Sequence, residues 1–69
     1  MTQWTGRVPA KDDFGLPITY EFIDGRSNAG AWMIFTPRSW YHFGCGKLGP
    51  GYGQRYQRST RNIWTKVEG

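Results

Sequence analysis

The chain is poor in the side chains that most chemistry uses. Its 69 residues hold one cysteine, Cys45, and one histidine, His42. A lone cysteine closes no internal disulfide, and a secreted domain this short ordinarily needs two or more bridges. A reducing compartment, the cytoplasm, is therefore the expected location. A structural zinc site takes about four Cys or His ligands, so a site within one chain is excluded. Cys45 and His42 lie close in sequence, as a nucleophile and its base can, but no second histidine or obvious orienting group completes the constellation. Acids are also scarce: Asp12, Asp13, Glu21, Asp24 and Glu68 are all there are. The adjacent Asp12-Asp13 reads as a solvated turn rather than a cation site. The expectation is a protein that is not an enzyme and uses no cofactor or metal.

Long apolar runs are missing too. Nothing approaches the roughly 20 residues that a membrane-spanning helix requires, and no apolar stretch after Met1 resembles an export signal. Neither insertion nor export is expected, and no membrane partner.

Glycine and aromatic side chains are abundant. Ten glycines include Gly44, Gly46, Gly49, Gly51 and Gly53, so the stretch 44–53 reads as a glycine-rich loop. Gly46-Lys47 resembles the end of a phosphate-binding P-loop, but that motif's first glycine falls on Tyr41 and its Ser or Thr on Leu48, which removes the match. A looser anion nest around Lys47 stays open. Twelve aromatics, 17% of the chain, can each bury roughly 150–250 Å². That is core material, and it separates the chain from disordered segments of similar charge. One domain, 1–69, is the capacity of this length. It buries only about 60% of its unfolded surface, so a homodimer would be a natural supplement.

Local signals order the elements. Residues 1–17 mix Trp4, Val8, Phe14 and Leu16 with glycine and proline, which suits an extended arm pinned by Trp4. Ile18–Ile23 alternates as a strand. Asp24-Gly25 signals a turn, and the apolar stretch Ala31–Phe35 reads as a central, well-buried strand. Thr36-Pro37 is a helix start, Thr as the cap and Pro at the first turn, and Gly44 is placed to end that helix in a left-handed conformation. Gln54–Arg58 and Ile63–Glu68 form a closing hairpin. The fold class expected is α+β: a small antiparallel sheet of about four strands with one short helix, in the order β-β-α-β-β. An SH3-like small barrel is the alternative.

The net charge is +4, and its distribution matters more than its size. From Lys47 to Lys66 there are Lys47, Arg55, Arg58, Arg61 and Lys66 without an acid, interleaved with Tyr52, Tyr56 and Trp64. Cations among aromatics suit single-stranded nucleic acid; a solvated basic face is the plainer reading. If Tyr56 points inward, Arg58 lies near the sheet edge and Arg55 faces out; if it points outward, it becomes a stacking platform. The competing reading is a protein-binding surface, because Trp, Tyr and Arg dominate interface hot spots. Arg38, Trp40, Tyr41, Lys47, Tyr52, Arg55, Arg58, Arg61 and Lys66 are the candidate surface.

Ala31-Trp32, then Thr36-Pro37-x-Ser39-Trp40, Lys47-Leu48-Gly49, Gly53-Gln54-Arg55-Tyr56 and Trp64-Thr65-Lys66-Val67, taken in order, resemble a family of small uncharacterised proteins of tailed bacteriophages and prophages, over residues 22–69. Members tend to carry Asp-Gly in the last hairpin, where this chain has Thr60-Arg61-Asn62. The resemblance implies a phage-type accessory protein in the host bacterial cytoplasm, with no catalytic residues to carry over. The expected function is binding of a host or phage protein through the aromatic and basic surface. The alternative is nucleic-acid binding by the C-terminal half.

Overall fold

The structure, a computed structural model, describes residues 2–59 and 61–69. Its elements are β1 (Glu21–Arg26), β2 (Trp32–Phe35), α1 (Pro37–Phe43), β3 (Gly53–Arg58) and β4 (Trp64–Glu68). The strands form one antiparallel sheet in the order β2-β1-β3-β4. With the short helix this is a small α+β fold, and its open sheet has β2 and β4 at the edges.

Successive residues of a strand point to opposite faces, yet Phe22 and Ile23 in β1 are both fully buried. Each face of the sheet therefore has its own cover. On one face Phe22, Tyr56 and Trp64 form a cluster, with Trp4, Val8, Ile18 and Ile34 packed against it. Trp4 meets Phe22 and Tyr56 edge-on at 5.1 and 5.3 Å between ring centres. On the other face Ile23 and Phe35 are register partners. Phe35 is met by Trp40 of the helix at 5.0 Å and by Phe14 of the arm at 5.4 Å. Thus Trp4, Phe22, Phe35, Trp40, Tyr56 and Trp64, half of the aromatics, are buried or half-buried in two thin cores, and pairs of this kind contribute roughly 0.5–1.5 kcal/mol beyond the area they bury.

The N-terminal arm is more than a cover. Trp4 N donates to Trp64 O at 2.9 Å and Lys66 N to Thr2 O at 2.7 Å, so the arm runs along the outer edge of β4. At the opposite edge Asp13 N donates to Ile34 O, and the Asp13 carboxylate accepts from Ile34 N. Both edges lose backbone groups that would otherwise be open to pairing with another chain.

Several local expectations change, among them the first strand, expected over Ile18–Ile23 and found at Glu21–Arg26. Ala31–Phe35 is not central: β2 is an edge strand, with Trp32 exposed and Met33 and Ile34 half-buried, because β1 pairs with both β2 and β3. Asp24-Gly25 is not a turn. Gly25 stays in β1 opposite Gly53, and the turn falls on Ser27–Ala31, closed by Ser27 N to Ala31 O at 2.7 Å. A side chain at Gly25 would come within 2.9 Å of the Trp40 ring, so the glycine serves a close approach.

Gly44 does end the helix, but with φ −76° it is extended rather than left-handed. Its glycine is needed because a Cβ there would collide with the Trp40 ring and lie 2.7 Å from the Trp40 carbonyl oxygen. Gly44→Ala is expected to cost about 1–3 kcal/mol by overpacking. Thermal denaturation should show a fall in Tm of at least about 5 °C.

Asp12 is the largest departure. It is 6% exposed and is not a solvated turn residue. Its Oδ1 accepts from Phe14 N and Leu16 N, both at 2.9 Å. Its Oδ2 accepts from Thr36 N at 2.9 Å, Thr36 Oγ1 at 2.8 Å and Ser39 Oγ at 2.7 Å. Thr36 and Ser39 also cap the helix reciprocally, as the Thr36-Pro37 signal predicts. Burial alone would raise the Asp12 pKa. The Ser39 hydroxyl, the Thr36 and Leu16 amides and the Thr36 hydroxyl outweigh it and hold the carboxyl at about 2.

Candidate functional site

Charge is sorted by pairing. All five acids are engaged within the chain. Asp12 and Asp13 bind backbone amides. Asp24 accepts from Trp32 Nε1 at 2.7 Å. Glu21 pairs with Arg55 and accepts from Gln57 Nε2 at 2.8 Å, and Glu68 accepts from Arg55 Nε at 3.2 Å. Among the described residues Arg55 is the only basic side chain in an ion pair. The remaining eight of the nine cations have no carboxylate partner there.

The nine residues of the candidate surface do not form one patch. Lys47 and Tyr52 come together at the loop end of the sheet, with Lys47 Nζ 5.3 Å from the Tyr52 ring centre. Arg26 joins them, its guanidinium carbon 6.0 Å from the same ring. The backbone sets this arrangement: Arg26 N donates to Tyr52 O at 2.8 Å, and Cys45 N donates to Arg26 O at 2.9 Å. The loop 44–53 is thereby laid across the end of β1. Trp32, the register partner of Arg26 and 48% exposed, extends the group across the sheet. Tyr52 itself is 40% exposed. Cations within about 6 Å of an aromatic face are favourably placed, and this end has two of them around one accessible ring.

Arg26 and Trp32 are missing from the sequence-based surface. Reading Gly25 as a turn put Arg26 in a loop, and reading Ala31–Phe35 as central put Trp32 inside. No local signal in Asp24-Gly25-Arg26 continues the strand; pairing with β2 and β3 does.

Elsewhere, Arg38 and Tyr41 are both exposed and lie three residues apart on α1, Tyr41 being 85% exposed. Trp40 between them turns inward against Phe35 and is half-buried. Arg58, the last residue of β3, and Arg61 beyond it are exposed at the far end of the sheet, the Arg58 guanidinium 5.9 Å from the Trp64 ring. Lys66 is half-buried opposite Tyr56 and its Nζ donates to Gly69 O at 3.4 Å. Tyr56 points inward, which places Arg58 at the periphery and Arg55 on the opposite face. Arg55 is tied to Glu21 and Glu68 rather than presented to solvent. Burial raises the Tyr56 pKa, with the Asp24 carboxylate adding to it, so the phenol is neutral at physiological pH.

Cys45 is half-buried and its Sγ lies 3.6 Å from the Lys47 carbonyl oxygen. His42 lies on the exposed side of α1 with its ring against Tyr41 and Phe43. Among the described residues no group of three or more His, Cys, Asp or Glu is placed to hold a metal ion. No helix there is long and apolar enough to cross a membrane. No family model matches the chain, and neither does any curated protein or solved structure.

Proposed function

We propose that this chain is a non-enzymatic, phage-type accessory protein of the bacterial cytoplasm that binds an acidic face of a host or phage protein. The surface used is the Arg26, Trp32, Lys47 and Tyr52 end of the sheet. The observation that carries this reading is the pairing pattern: every acid is spent internally, while unpaired Arg26 and Lys47 flank an accessible tyrosine. Aromatic side chains with arginine are the usual anchors of protein interfaces, and complementary charge speeds and orients docking.

Nucleic acid is the second reading, because an exposed tyrosine between cations also suits a base. It is weakened by the removal of Tyr56 and Trp64 into the core and of Arg55 into ion pairs.

Affinity capture of the tagged protein from bacterial lysate, with and without nuclease, tests the two readings. A stoichiometric protein partner should survive nuclease, and Arg26→Glu with Lys47→Glu should weaken its binding at least tenfold while leaving the melting temperature of the free protein unchanged. Capture abolished by nuclease would overturn the protein reading. Binding would then be expected to show a salt slope of about −1.4 for two phosphate contacts, by Arg26 and Lys47, at about −0.7 each on a single strand.

A further inference from the structure

A concavity lies at the opposite end of the molecule from Tyr52. It is an open-sided groove of about 310 Å³ between the N-terminal arm and the β3–β4 hairpin. The arm forms one wall, fixed at either end by Trp4 N to Trp64 O and by Ile18 N to Ala10 O, both 2.9 Å. Arg58, Asn62 and Trp64 form the other, and Val8 and Ile18 add an apolar strip.

Three properties of this groove point the same way. Two guanidiniums, Arg7 and Arg58, line it, and neither has a carboxylate partner among the described residues. No acid lines it. Gly6, Arg7 and Val8 all line it, and their amides donate no backbone–backbone hydrogen bond among the described residues. Arginine forks match phosphate oxygens bidentately, and a concave run of free amides adds fixed positive dipoles. The volume is more than a bare phosphate fills and lies at the lower end of the range for small organic ligands, roughly 300–1,000 Å³.

We infer that the groove binds a phosphorylated organic anion of nucleoside-monophosphate size, with the phosphate held by Arg7 and Arg58 and the organic body against Val8 and Ile18. Trp64 supplies the wall and fixes Arg58, whose guanidinium lies over its ring; it is too buried to stack on the ligand. The site is separate from the Tyr52 surface and does not depend on the protein-binding reading.

The test is a two-dimensional NMR titration of the intact protein with adenosine monophosphate, with adenosine and inorganic phosphate as controls. Adenosine monophosphate is expected to shift the Gly6 and Asn62 amides and the Trp64 indole with a Kd below about 1 mM, each control binding at least tenfold more weakly. Arg7→Gln should weaken it at least tenfold without lowering Tm, because Arg7 is exposed and makes no ion pair in the fold. Arg58→Gln should do the same, and Arg7→Lys should restore part of the affinity. The inference is overturned if the monophosphate binds no better than phosphate or adenosine alone, if the shifts cluster elsewhere, or if Arg7→Gln binds like the parent.

Discussion

Asp12→Ala is expected to destabilise the protein by about 3–4 kcal/mol, enough to leave a domain of this size largely unfolded at room temperature. The side chain accepts five hydrogen bonds, two from its own turn and three from the start of α1. Alanine leaves Phe14 N and Leu16 N without their acceptor, and Thr36 N, Thr36 Oγ1 and Ser39 Oγ with only the longer bonds of the helix cap, in a site that is 6% exposed. Each orphaned buried donor costs roughly 1–3 kcal/mol, less where water enters. Urea denaturation monitored by circular dichroism measures the loss, and a change under about 1 kcal/mol would show that the carboxylate is not the junction between arm and helix.

The same residue sets an acid limb. Its folded pKa is about 2 against an ordinary 3.8, so its contribution is complete above the unfolded value and is lost as pH falls through 3.8 towards 2. The difference amounts to about 2 kcal/mol. Asp12→Asn keeps the shape but cannot ionise. The stability difference between parent and variant should therefore shrink by about that amount between pH 6 and pH 2. An unchanged difference would mean that the folded and unfolded states bind the proton alike.

Trp64→Ala is expected to cost about 3–5 kcal/mol, the usual range for deleting a core tryptophan. Trp64 is 9% exposed, packs on Phe22 at 5.2 Å between ring centres and carries the Arg58 guanidinium on its ring. Its carbonyl also receives the arm through Trp4 N, so collapse of the ring's surroundings would loosen the cover of the whole face. Loss of the near-ultraviolet dichroism and of cooperative melting is the expected result. Tyr41→Ala, at a side chain 85% exposed, serves as the contrast and should change stability by no more than about 0.5 kcal/mol. Comparable losses in both variants would show that the Trp64 cluster has no special weight in the stability.

Elements whose signals act within one turn or one pleat were legible without the structure. Thr36 and Pro37 start α1 because a cap and a fixed φ operate over three residues. The strand–strand–helix–strand–strand order was legible element by element, and the two hairpins by their short links; the pairing of β1 with β3 was not, because residues 36–52 separate β2 from β3. The candidate surface was legible only in part. Lys47 and Tyr52 meet as neighbours of one loop, but Arg26 reaches them from another strand. Gly25 read as a turn because its missing side chain favours one locally. In the fold the same absence makes room for Trp40, fifteen positions on.

The sequence by itself determined the composition of this protein's chemistry. It has one Cys, one His and five acids, enough aromatics for a core, an excess of cations, and the capped helix between two hairpins. Tertiary structure alone decided what each charge and ring does. Asp12 became a buried junction through groups 24 and 27 positions away. Arg55 was withdrawn from the surface by Glu21, 34 positions distant. Tyr56 was turned inward by the sheet face it shares with Phe22. The reason is one of range: capping and alternation are set by neighbours along the chain, whereas desolvation and ion pairing depend on whatever the fold brings within a few ångströms.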